Sequence, residues 1–228
     1  MTQTHTQYQG LRTEEQRTKL FAPHSGGELT FLHPPYGPAT YTDVGLAIVK
    51  DNLTRPTMAE TASLVHAAFN SPKDNRYRKE IEDIMRRAWL WAFTGTLYVP
   101  KEGAFIQDDP EIREGMPFMD KSGLEGKLSA NDPSVRHVPF GYQVGEMSPL
   151  ELAKNPYVIG LVGGEGAEQL ARVADKYGIQ PYLFSFESVD KPETRVSALG
   201  SWGLVHGLDV GGGSLGGDGD GRAFGYLK

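Results

Sequence analysis

No cysteine occurs among the 228 residues, which excludes disulfides, thiol catalysis and cysteine-ligated zinc. No apolar run approaches the roughly 20 residues that a membrane-spanning helix needs. The opening stretch MTQTHTQYQGLRTEEQRTKLFAP also lacks the apolar centre of a signal peptide. The expectation is a soluble chain, cytoplasmic or particle-associated, with no membrane insertion. Dense Lys/Arg runs are missing too, and the net charge is −6. That balance argues against a nucleic-acid backbone or an anionic membrane as the main partner. Neither an HExxH nor an HxH pair is present, so the sequence nominates no catalytic residue, no metal ligand and no cofactor.

What is there suits one sizeable globular domain: 39% hydrophobic residues, with ten Tyr and ten Phe. Residues 1–25 are polar and read as a mobile amino-terminal arm or an oligomer contact, with a short amphipathic possibility over Thr13 to Phe21. Residues 26–228 read as a single α+β domain. ELTFL, Glu28 to Leu32, is a short strand stopped by His33, Pro34 and Pro35. Helices are expected over Thr42–Asn52, from Thr57 to Asn70 behind the capping box Thr57-Met58-Ala59-Glu60, and from Ser71-Pro72 onward. In the last of these Tyr77, Ile81, Ile84 and Ala88 share one face.

Trp89–Phe93 and Leu97–Val99 read as strands joined by a Thr94-Gly95 turn, with Ala104–Gln107 continuing the meander and both tryptophans in the core. Residues 108–147 form a loop-rich insertion. Ser148-Pro149-Leu150-Glu151 is a second capping box. After it, Tyr157–Val162 reads as a strand, Gly163-Gly164-Glu165-Gly166 as a turn, Ala167–Tyr177 as a helix stopped by Gly178, and Tyr182–Phe186 as a strand.

The most informative stretch is RVSALGSWGLVHGLDVGGGSLGGDGDGRAFGYLK, Arg195 to Lys228. Ten of the 22 residues from Gly200 to Gly221 are glycine, too many for an ordinary strand or helix. Yet Leu204, Val205, Leu208, Val210 and Leu215 recur through it, which a flexible linker would not carry. Val196, Leu199, Trp202, Leu208 and Phe224 therefore read as a fixed frame. From Val196 to Leu227 there is no Lys, Glu, Gln or Met. The gap residues, among them Ser201, Gly203, His206, Asp209, Ser214, Asp218, Asp220 and Gly221, can each be reached from an Asn codon by changing only its two adenines.

In the RVSALGSWG opening, the Asn-derivable positions and the RAFGYL finish, the segment resembles the variable region of proteins diversified by diversity-generating retroelements. That resemblance covers roughly the last 34 residues. It implies a C-type-lectin-like fold with N-terminal helices and a loop-rich insertion, in which the strand Glu28–Leu32 pairs with Ala223–Leu227, and a hypervariable binding surface over 197–222. It also implies a ligand-binding, receptor-type protein, not an enzyme, whose partner is a protein or surface ligand. The implied contacts are Ser201, Trp202, Gly203, His206, Gly207, Asp209, Gly211, Gly213, Ser214, Gly216, Asp218 and Asp220, the residues between the frame positions facing outward and Trp202 either a buried pin or an aromatic anchor for the ligand.

Two other readings remain open from the residues. The strand–glycine-turn–helix unit at 157–186 suits a small-molecule enzyme or a phosphate- or nucleotide-binding protein. Its glycines match neither the dinucleotide fingerprint nor a P-loop, and Glu165 would repel an anion. Asp218 and Asp220, alternating with glycine, resemble a fragment of a calcium loop, but no distant bidentate Glu follows.

Overall fold

The computed structural model describes residues 17–201, 207–211 and 217–228. In chain order the elements begin with β1 (Thr18–His24), β2 (Gly27–His33) and β3 (Tyr36–Ala39), followed by α1 (Tyr41–Lys50), α2 (Met58–Asn70) and α3 (Arg76–Arg87). Next come β4 (Leu90–Val99), β5 (Gly103–Asp108), β6 (Ile112–Arg113), β7 (Met116–Pro117), α4 (Lys121–Ser129), β8 (Val135–Val138) and β9 (Gly145–Glu146). The chain finishes with α5 (Pro149–Lys154), α6 (Pro156–Tyr177), β10 (Tyr182–Phe184), β11 (Glu193–Gly200), β12 (Asp209–Gly211), β13 (Gly221–Ala223) and β14 (Tyr226–Leu227).

The largest sheet runs β3-β13-β4-β11-β12-β10-β9, with β5 and β8 continuing from β4. Every residue of β4 is buried because both of its faces are covered. Its side chains divide among three apolar clusters, the smallest holding Leu97 and Val99 with Phe105, Leu124 and Val135. Leu90, Ala92 and Tyr98 face the large core shared with α2, α3, α5 and α6, whereas Trp91 and Phe93 face a second core with Tyr41, Val44 and Ile48 of α1. The two tryptophans stack with ring centroids 6.5 Å apart, Trp91 in the core and Trp89 half-buried at its edge.

Both capping boxes form. Thr57 accepts from the Glu60 amide while Glu60 accepts from the Thr57 amide, and Ser148 and Glu151 repeat the arrangement. The carboxy-terminal strand closes on β2, as the resemblance implies. In a three-stranded sheet β14 pairs antiparallel with β2, Tyr226 opposite Phe31 and Leu227 opposite Thr30.

Four local expectations are corrected. Thr18–His24, assigned by sequence to the arm, is strand β1, paired with β2 along its whole length; residues 1–16 lie outside the described residues. The Thr94-Gly95 turn is absent, and β4 runs straight through. Gly95 is there because a Cβ would sit 2.8 Å from Pro117 Cβ, so the requirement is close approach and not chain reversal. The third helix starts at Arg76, capped by Asn75, and not at Ser71-Pro72.

Finally, Tyr157–Val162 is helical. Asn155 accepts from the Tyr157 and Val158 amides, Pro156 occupies the first turn, and the buried set Tyr157, Val158, Leu161, Val162 has helical spacing. The helix kinks at Gly163, with φ of 75° and an extended ψ of 168°, and ends at Gly178, with φ of 69° and ψ of 12° in the left-handed helical region. The insertion 108–147 carries α4 and four short strands, so it is more ordered than its composition suggests.

Candidate functional site

The carboxy-terminal frame is built into the middle of the large sheet. β11 pairs along β4, with a register shift between Val196 and Ser197. β12 then lies between β11 and β10, setting Leu199 opposite Val210 and Gly200 opposite Asp209. β13 returns to β4, with Arg222 opposite Leu90. Val196, Leu199, Leu208, Val210, Ala223 and Phe224 are all fully buried. The described frame residues therefore hold the positions expected of them. Trp202, Leu204, Val205 and Leu215 lie outside the described residues.

The gap residues divide into two groups. Asp218 is half-buried, and Gly217, Gly219 and Asp220 are exposed, as a ligand-facing surface requires. Ser201, Gly207, Asp209 and Gly211, by contrast, are buried, and their assignment as outward contacts is corrected. Ser201, 2% exposed, donates its backbone N–H to the Met85 carbonyl at 2.7 Å. At Gly207 a Cβ would come within 2.4 Å of the Ile179 carbonyl oxygen. Gly211 has φ of 111°, and a Cβ there would lie 2.2 Å from the Phe184 carbonyl oxygen.

Asp209 is 1% exposed, in a strand with neighbours on both sides. Burial, joined by the negative charges of Glu82 and Asp209, pushes the Tyr177 phenol up to about 12. Local composition cannot separate the groups, because burial at 207–211 comes from β10, which lies about 25 residues earlier in the chain. Trp202, Gly203, His206, Gly213, Ser214 and Gly216 lie outside the described residues.

Sequence reasoning missed the neighbour of this segment, the corner between α3 and β4. The Met85 carbonyl holds the Ser201 amide, and the Trp89 carbonyl accepts from the Arg222 amide at 2.8 Å. A hollow of about 210 Å³ opens there, bordered by Met85, Arg86, Arg87, Ala88, Trp89 and Asp220. Arg86 pairs with Asp83.

The rival site at 163–166 changes character. Its strand is a helix, so no strand–turn–helix phosphate loop exists. A hollow of about 280 Å³ does lie beside the kink. It is crossed by a polar chain in which Ser63 lies 3.0 Å from His24 Nδ1 and donates to Gln169 Oε1, and Gln169 donates to Glu165. That chain ties β1, α2 and α6 together. Among the described residues no three His, Asp or Glu side chains gather as a cation site. No described helix is long and apolar enough to cross a membrane.

No protein-family model matches the chain, and no curated protein does. Among solved structures, one described as "Accommodation of massive sequence variation in Nanoarchaeota by the C-type lectin fold" aligns over 85% of this chain and 98% of its own, at 15% identity and a TM-score of 0.53. The likeness is one of fold, and with the mixed sheets and helices above it identifies this chain as an α+β protein with a C-type lectin fold.

Proposed function

We propose that the chain is a ligand-binding, receptor-type protein, not an enzyme, whose C-terminal surface is diversified by a retroelement and recognises a protein or surface ligand. The observation that carries this reading is the contrast inside one glycine-rich tail. Buried residues of β11, β12 and β13 hold the sheet, while Gly217 to Asp220, only a few residues away, lie at the surface. Substitutions at exposed positions typically change stability by less than about 0.5 kcal/mol, so this part of the surface tolerates rewriting while the fold persists. The solved structure that shares the fold is itself described as accommodating massive sequence variation.

The diversified surface is narrower than composition implies. Gly207, Asp209 and Gly211 are Asn-derivable and yet packed, so variation at those positions is restricted to what the sheet admits. Two measurements test the proposal. Thermal denaturation of the combined variant Asp218→Asn, Gly219→Ser, Asp220→Tyr is expected to leave Tm within a few degrees of the parent. A large drop, matching that of a core variant, contradicts it. Sequencing of the adjoining DNA is expected to reveal a near-copy of the last coding stretch with adenines at the variable codons, beside a reverse transcriptase gene.

A further inference from the structure

We infer that the α3–β4 corner is the constant half of the ligand site: Arg87 and Trp89 anchor a protein ligand through a carboxylate side chain next to an apolar one, whatever occupies the variable positions. The inference rests on the ligand-binding reading above and adds the chemistry of the partner.

The corner's position follows from backbone hydrogen bonds. Ser201, the last residue of the buried frame before residues 202–206, is bonded to Met85, and Arg222, just after the exposed Gly217–Asp220 stretch, is bonded to Trp89. Gly200 is a glycine against the same indole, since a Cβ would meet Trp89 Cζ3 at 3.1 Å. The corner is thus fixed to both flanks of the variable segment by contacts that substitution at 217–220 leaves untouched.

Its chemistry is that of an anchor. Trp89 is half-buried, with the buried Trp91 stacked behind it, so the exposed part of the indole is held rigid. Arg86 is engaged by Asp83, whereas Arg87 is exposed and makes no ion pair among the described residues. A guanidinium can take a carboxylate through two parallel N–H donors. Arginine and tryptophan are also the residue types that dominate binding energy at protein interfaces.

Asp220 borders the same hollow and belongs to the Asn-derivable set. The hollow therefore joins one constant cation and one constant aromatic to one changeable residue, whose present carboxylate opposes an anionic ligand, so Asp220→Asn should strengthen binding of an acidic peptide. A volume of about 210 Å³ accommodates one or two side chains of a partner. Sugar recognition would instead call for several converging hydroxyl-matching acceptors, and among the described residues Asp220 is the single carboxylate bordering the hollow.

The test is selection of a phage-displayed random dodecapeptide library on the full-length chain, followed by fluorescence polarisation with the best peptide in fluorescein-labelled form. Enriched peptides are expected to carry Asp or Glu beside an apolar residue. Arg87→Glu should weaken the peptide by roughly tenfold or more, one carboxylate contact's worth, at unchanged Tm, and Arg87→Lys should restore part of the loss. Trp89→Phe should weaken it less than Trp89→Ala. Enrichment of basic peptides, absence of any enrichment, or binding confined to a glycan array overturns the inference. So does a peptide indifferent to Arg87→Glu; if that peptide is weakened by changes at Asp218 or Asp220, this inference fails while the ligand-binding reading stands.

Discussion

The indole of Trp91 fills the space where a side chain at position 221 would begin: a Cβ built on Gly221 would lie 1.8 Å from Trp91 Nε1. A Cβ built on Gly217 or Gly219, four and two residues earlier, has nothing within 4 Å. One glycine-rich run thus contains both a packing requirement and open surface. Gly221→Ala is expected to destabilise by about 1–3 kcal/mol through overpacking, whereas Gly217→Ala and Gly219→Ala change stability by less than about 0.5 kcal/mol. Urea denaturation of the three single variants checks the contrast.

Phe224 is fully buried in the large core beside Phe31 and Tyr226. Phe224→Ala is therefore expected to cost about 3–5 kcal/mol and to lower Tm far more than the combined change at 218–220. Calorimetry on the two variants side by side separates frame from surface.

The chain's end is also held by a capping residue. Tyr226 donates its hydroxyl to Glu60 Oε1 at 2.6 Å, while Glu60 Oε2 accepts from the Thr57 amide. Tyr226→Phe should lose about 1.5–3 kcal/mol, as for a hydrogen bond to a charged acceptor. Once Glu60→Gln is present the same change should cost less, a coupling that a double-mutant cycle reads directly.

Stability should fall in alkali through a buried cluster of hydroxyls. Tyr98 donates to Tyr157 at 2.8 Å and lies 2.9 Å from Ser185, and Ser185 donates to Tyr142. Burial pushes the phenols of Tyr98, Tyr142 and Tyr157 above the ordinary 10.0. Above that pH the unfolded chain releases these protons and the folded chain keeps them. The stabilisation is thus complete below pH 10.0 and declines as pH rises past it, by up to about 1.4 kcal/mol per pH unit for each tyrosine. Equilibrium unfolding across this range should show the decline, with a shallower slope for Tyr98→Phe.

Much of the fold was legible where its cause is local. Thr57 with Glu60 and Ser148 with Glu151 announce helix starts because the capping partners are three residues apart. Gly178 announces a helix end because glycine takes the left-handed conformation that stops a helix. The pairing of ELTFL with Tyr226–Leu227 follows from the family resemblance and not from the residues themselves. What escaped was decided at a distance. Gly95 looks like a turn until Pro117 is seen packing on it. Tyr157–Val162 is an apolar run that suits a strand or a buried helix equally, and Asn155-Pro156 was the overlooked signal.

The same limit governs the site. Asp209 and Gly211 share their composition with Asp218 and Gly217, and only the pairing of β12 with β10 and β11 separates buried from exposed. The α3–β4 corner left no trace in the C-terminal pattern because Arg87 and Trp89 lie more than 100 residues before it.

Saturation mutagenesis over the described positions 201, 207, 209, 211 and 217–221, read as the amount of folded chain displayed on yeast, tests the central claim most directly. The account predicts that 217–220 accept most residue types, while Ser201, Gly207, Asp209, Gly211 and Gly221 reject nearly all. Equal intolerance at 217–220, or free substitution at Gly211 and Gly221, would contradict it.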